Sequence, residues 1–137
     1  MSKAAPGFEK HPNYDVSISP SDARLRVLVG DTVLATTERA LTVTETRHRP
    51  VWYLPMEDVD QARLTATEHS TYCPFKGHAS YWSVDGGAGN LENVIWGYED
   101  PYLECEPLKG YVSFYTDRVT LEIDGRQEGQ EGPGWTD

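Results

Sequence analysis

Cysteine is scarce in this chain. Only Cys73 and Cys105 occur among its 137 residues, and neither belongs to a Cys-x-x-Cys pair. No His-x-x-x-His pair compensates, so the closely spaced ligands of a structural zinc site are missing and no metal is expected. Too few cysteines are present for a disulfide framework, and a reducing compartment would keep both as thiols. Long apolar runs are also lacking. Nothing approaches the roughly 18–20 residues that span a bilayer, and Met1–Gly7 has no hydrophobic core of the kind a signal peptide carries. A cytoplasmic protein without a membrane segment is the expectation. Basic residues are in deficit, with 12 Lys and Arg against 22 Asp and Glu and a net charge of −10. Such a surface repels phosphate backbones and anionic lipid, which argues against nucleic acid as a partner.

What is present is aromatic and turn-rich: 4 Trp, 8 Tyr, 3 Phe, 12 Gly and 9 Pro. The length fits one domain with its own core. Alternation of apolar and polar residues predicts short strands at Val16–Ile18, Leu25–Val29, Thr32–Thr37, Arg39–Thr46 and Val51–Leu54. Further strands are expected at Ala79–Val84, Leu91–Tyr98, Tyr111–Tyr115 and Val119–Ile123, with a helix a competing reading for Tyr111–Tyr115. Ser19–Asp22, Gly30-Asp31 and Asp85–Asn90 read as turns. Met56, Val59 and Leu64 among acids after Pro55 fit a short amphipathic helix. Pro101–Gly110 reads as irregular or as one helical turn. Together these predict a mainly β fold: a single compact domain of about eight short, mostly antiparallel strands, as a folded sheet or small open barrel, with one or two short helices. Residues 1–14 read as an extended N-terminal arm, 15–124 as the domain and 125–137 as a flexible acidic tail.

The stretch from His69 to Trp82 gathers a thiol, two imidazoles, an ammonium, hydroxyls and aromatic rings around Pro74 and Gly77. It reads as a turn over 69–78, and such mixtures are what small-molecule sites are built from. Cys73 is the candidate nucleophile, with Lys76 and an imidazole able to lower its pKa. The competing reading is that a free Cys packs in the core. His69 is the candidate acid or base, with a turn-capping role equally open. Lys76 would present an ammonium to an anionic ligand, and Gly77 would let the backbone approach closely. A solvated turn Lys is the plainer alternative. Arg39 would complete an anion clamp, or pair structurally with an acid such as Glu45 or Asp117. Tyr72, Tyr81, Trp82, Asn93 and Trp96 are candidate ligand-binding residues. The aromatic ones are equally explained as sheet-stabilising cross-strand pairs.

Arg39-Ala40-Leu41, Pro50–Pro55, His69–Trp82, Asn93–Tyr98 followed by Pro101, and Lys109–Tyr115 together resemble the family named domain of unknown function 427. The resemblance covers about 15–124 and rests above all on Tyr72-Cys73-Pro74-Phe75-Lys76-Gly77. It implies a small, mostly β, cytosolic domain. The family is also designated nucleotidyltransferase-like, which implies metal-dependent nucleotidyl or phosphoryl transfer. That chemistry ordinarily needs paired carboxylates and a phosphate cradle. The one suggestive acidic pair, Asp58 and Asp60, falls on the presumed surface helix.

Three functions follow from the residues. One is a site that binds or acts on a small anionic metabolite, by thiol acyl transfer or hydrolysis if it is catalytic. The second is a non-catalytic binding or interaction module, and the third is nucleotidyltransferase-like activity. No cofactor is expected. Exposed strand edges would suit a homodimer.

Overall fold

A computed structural model describes residues 3–85 and 90–136. Eleven strands among them form two antiparallel sheets. The seven-stranded sheet runs β1 (Val16–Ser21), β4 (Ala40–Glu45), β5 (Val51–Pro55), β9 (Tyr111–Phe114), β8 (Asn90–Gly97), β7 (Gly77–Asp85) and β6 (Leu64–Cys73). The four-stranded sheet runs β11 (Arg126–Glu128), β10 (Thr120–Ile123), β2 (Leu25–Val29) and β3 (Thr32–Thr37). The mainly β expectation holds, and the architecture is two open sheets.

The period-two side-chain alternation of strands gives the large sheet two different faces. One face carries Leu54, Val84, Ile95, Val112 and Phe114, which pack against Leu25, Val27 and Leu121 of the small sheet. This is an aliphatic core sealed sheet on sheet. The other face carries Val43, Val51, Tyr53, Tyr81, Trp96 and Tyr98. Among the described residues no second sheet covers it. Its roof is assembled from Tyr14, Phe75, Cys105, Leu108 and Trp135.

Several sequence expectations are corrected here. Ser19–Ser21 is strand and not turn, because β1 lies at the sheet edge, where Pro20 loses no ladder partner. The segment after Pro55 is two 3-10 turns, Met56–Asp58 and Gln61–Arg63, and not one amphipathic helix. Val59 between them is extended and bridges to Ala35 of β3, so docking on the sheet overrides the local helical pattern. The supposed turn over 69–78 is a hairpin: β6 runs to Cys73 and β7 starts at Gly77, leaving only Pro74-Phe75-Lys76 to turn. Pro101–Gly110 contains the 3-10 segment Leu103–Leu108. Four residues of the Asp85–Asn90 turn lie outside the described ones.

The ends of the chain differ most from expectation. Residues 3–14 contain the short helix α1 (Gly7–Lys10) and are tied down by Gly7 N–H to the Pro74 carbonyl at 2.9 Å. Leu103 N–H donates to the Lys3 carbonyl at 2.7 Å. At the other end β11 pairs with β10, and Gln130 then acts as a stitch. Main-chain pairing between β5 and β9 covers only Leu54 with Val112 and Pro55 with Tyr111. Where it stops, the Gln130 side chain fills in. Its oxygen accepts from Trp52 N–H at 2.8 Å, and its nitrogen donates to Ser113 Oγ at 2.8 Å and to the Phe114 carbonyl at 3.0 Å. Composition cannot show this, because one Gln in a Gly- and Glu-rich run looks like any other. No helix among the described residues is long and apolar enough to cross a membrane.

Gln130→Ala removes these bonds and strands part-buried backbone groups, so it should cost about 2 kcal/mol. Urea unfolding should show a lower midpoint at unchanged slope. An unchanged midpoint would mean the C-terminal segment is only loosely associated.

Candidate functional site

The large sheet's aromatic face holds a charged centre. The Pro74–Lys76 turn throws Lys76 back under the sheet, where its side chain is fully buried. Its ammonium pairs with the Glu45 carboxylate, at the end of β4. Glu45 is buried too, and its second oxygen accepts a hydrogen bond from the Tyr14 hydroxyl. A Lys ammonium has three donors. The remaining two meet the Pro133 carbonyl at 3.1 Å and the Cys73 sulfur at 4.0 Å. Removed from water, each charge must be met by partners of this kind, since an unpaired buried ion costs several kcal/mol.

Further hydroxyls lie on the same face. Trp96 Nε1 donates to Tyr53 Oη at 2.9 Å. The Tyr81 hydroxyl bonds Thr71 Oγ1 at 2.9 Å and reaches the Tyr115 hydroxyl at 3.5 Å. Tyr98 is the exception. Its buried hydroxyl has no hydrogen-bond partner among the described residues. Burial pushes its pKa well up, and Tyr53, Cys73 and Glu45 lie close enough to push it further. The ring packs in the same buried cluster as Tyr53, Cys73, Tyr81 and Trp96.

Cys73 has only 1% of its surface exposed. Burial raises its thiol pKa, while the Lys76 charge and backbone donors pull the other way without prevailing. Burial likewise pushes Cys105 up to about 12, and its sulfur lies 3.5 Å from the Phe75 carbonyl. Neither thiol is prepared as a nucleophile in this state, because the thiolate is the reactive form.

Of the residues singled out from sequence, the structure brings Cys73 and Lys76 together. Gly77 pairs opposite Cys73 and has φ of +120°, which closes the tight turn between them. Tyr81 and Trp96 line the same face. The rest are elsewhere. His69 is exposed on β6 with its ring 4.4 Å from that of Tyr81. It lies roughly 13 Å along the strand from Cys73, too far to act as its base. Arg39 is exposed and bonded to Glu57 at 2.8 Å and Asp58 at 3.0 Å. It precedes β4, so the strand's length, roughly 17 Å, separates it from Glu45. Its acid partners are therefore neither Glu45 nor Asp117. Tyr72 bonds the Tyr102 hydroxyl at 2.7 Å. Trp82 packs against the opposite, aliphatic core. Asn93 holds a bulge in β8, with φ of +53°, and its side chain accepts from Thr67 Oγ1 at 2.6 Å.

Glu45, Tyr14, Tyr98 and Pro133 are the members that sequence reasoning missed. Glu45 sits with Leu41 and Val43 on the buried face of β4. An acid in phase with the apolar positions of a strand was the one available signal.

A family model described as domain of unknown function (DUF427) matches residues 17–125. The chain belongs to the DUF427 family. No curated protein matches it significantly. In this DUF427 domain Glu45, Cys73, Lys76 and Tyr98 fall within the matched residues, whereas Tyr14, Pro133 and Trp135 fall outside them.

The raised thiols and phenols fix a direction for the pH dependence of stability. Burial is the first cause of the upward shift for Cys73, Cys105, Tyr14, Tyr53, Tyr98 and Tyr115. A group whose folded pKa is raised contributes stability below its unfolded pKa and loses it as pH rises through the folded value. The urea midpoint should therefore decline above about pH 9, where unfolded Cys and Tyr begin to ionise. Native Cys73 and Cys105 should both react with iodoacetamide far more slowly at pH 8 than in urea-unfolded protein. Fast native labelling of Cys73 would contradict its burial.

Proposed function

We propose that this DUF427 domain is a small-molecule-binding module. Its site is the Lys76–Glu45–Cys73 centre, and the group it recognises is a carbonyl oxygen. The orphaned Tyr98 hydroxyl carries this reading. A buried unsatisfied hydroxyl costs about 1–3 kcal/mol. Retaining one on the face that also holds the buried ion pair is explained by a ligand that accepts its hydrogen bond. Lys76 supplies the second donor by exchanging the Pro133 carbonyl for that of the ligand.

An anionic metabolite is the less favoured occupant. Lys76 and Glu45 already balance each other, so a carboxylate or phosphate would bring an uncompensated charge into a dry site. Arg39, the second cation of the expected clamp, is committed to Glu57 and Asp58 at the surface. Thiol acyl transfer is not carried either. The Cys73 thiol is raised and sealed, and His69, its expected base, lies along β6 away from it.

Nucleotidyl transfer has less support. Asp58 is taken by Arg39 and by Thr37 Oγ1 at 2.7 Å. Asp60 caps a 3-10 turn and pairs with Arg63. Among the described residues no three His, Cys, Asp or Glu side chains are grouped to hold a metal ion.

The test uses the paired variant Lys76→Met with Glu45→Gln, because replacing both partners of a buried pair is often close to neutral for folding. Titration calorimetry with N-acetyl amino-acid amides and with the corresponding N-acetyl amino acids should show the neutral amides bound more tightly by wild type. The paired variant should lose about tenfold or more of that affinity. Equal binding by both proteins, or preference for the carboxylates, would end this reading.

A further inference from the structure

The roof over the charged centre is built partly from Gly132-Pro133-Gly134-Trp135, which fits its place closely. Two anchors precede it. Gln130 is stitched into the sheet, and the Glu131 carboxylate bonds His48 Nδ1 at 3.0 Å and Arg49 N–H at 3.3 Å. Beyond these the chain crosses the site with no room to spare. A Cβ on Gly132 would lie 2.8 Å from the Tyr115 ring, and one on Gly134 would overlap the Glu45 carboxylate. Pro133 between them has a fixed φ and offers its carbonyl to Lys76 at 3.1 Å. The Trp135 ring then enters an aromatic slot. Its centroid lies 4.5 Å from His11, 5.2 Å from Tyr14 and 5.1 Å from Phe75, with the last two contacts edge-on.

These contacts have the form of a bound ligand. A neutral carbonyl meets the buried ammonium, an aromatic ring fills a three-walled slot, and a residue without a side chain, Gly134, passes over the carboxylate. The occupant lies outside the residues matched by the family and is joined to the sheet through Gln130 and Glu131. Segments of this kind, held by few anchors, open locally at far less cost than the core.

We infer that Gly132–Trp135 is an internal occupant of the site. The ligand class that replaces it is a neutral aromatic amide, with a carbonyl for Lys76 and a ring for the slot lined by His11, Tyr14 and Phe75. This rests on the carbonyl-binding reading above and adds the ring and the segment that must leave. The segment competes with the ligand for Lys76, so occupancy from outside is opposed by the chain's own Pro133 carbonyl. Displacing it uncovers Cys73 from the side of Lys76. Cys105 is unaffected, because it is buried within the Leu103–Leu108 segment with its sulfur on the Phe75 carbonyl.

The experiment uses the full chain and reads the labelling of each thiol by mass spectrometry. Trp135→Ala empties the slot, and Gly134→Val drives the segment off by collision with Glu45 while keeping the ring. In both variants iodoacetamide should modify Cys73 about tenfold faster or more than in wild type, with Cys105 unchanged. N-acetyl-tryptophanamide should restore the slow rate in Trp135→Ala. N-acetyl-alaninamide at the same concentration should not. If Cys73 stays as slow as in wild type in both variants, or Cys105 accelerates with it, the segment is not an occupant and the inference falls. If Cys73 opens but the aromatic amide protects no better than the alanine one, the aromatic slot falls. Neither result touches the calorimetric test of the carbonyl reading, which compares wild type with the Lys76/Glu45 variant.

Discussion

A fully buried ammonium facing a buried carboxylate is the constraint around which this protein is arranged. Neither Lys76 nor Glu45 could occupy its position alone, because desolvation of an unpaired ion outweighs what nearby apolar contacts return. The pair therefore requires the end of β4 and the turn after β6 to meet, although four strands lie between β4 and β6 in the order of the large sheet. It also requires further donors and acceptors. Tyr14 from the N-terminal segment and the Pro133 carbonyl from the C-terminal one supply them. Both ends of the chain are thus held by one electrostatic demand.

The two faces of the large sheet answer that demand differently. On the aliphatic side, sheet-on-sheet packing is non-directional and nearly any well-fitted hydrocarbon suffices. The aromatic side carries hydroxyls, and each needs a partner. Trp96 serves Tyr53, while Thr71 and Tyr115 serve Tyr81. Tyr98 is left without one among the described residues. A face that is polar, aromatic and roofed by chain ends is the natural place for a ligand, because the roof can be exchanged without disturbing the core.

Legibility in the sequence followed the range of the forces involved. Alternation identified β2, β3, β4 and β5 nearly to the residue, since pleating and burial act locally. The pairing of Cys73 with Lys76 was legible because a three-residue turn brings them together. His69 and Arg39 were grouped with them by chemistry alone. A strand's rise carries one away, and the opposite end of β4 holds the other. Glu45 read as a generic acid, although its phase among the buried positions of β4 was a usable signal. The C-terminal run read as disordered because its Gly, Glu, Gln and Pro content is that of a solvated chain. Its anchors are single side chains whose partners are distant in sequence.

The sequence by itself determined the mainly β class, most of the strands and the turn that joins the thiol to the ammonium. Each of these depends on residues only a few positions apart. Tertiary structure alone decided that Lys76 is buried, that Glu45 and not a surface acid is its partner, and that the chain's own C-terminus lies over both. Those outcomes follow from removing charges from water, where a partner is set by what shares the enclosed space and not by what is near along the chain.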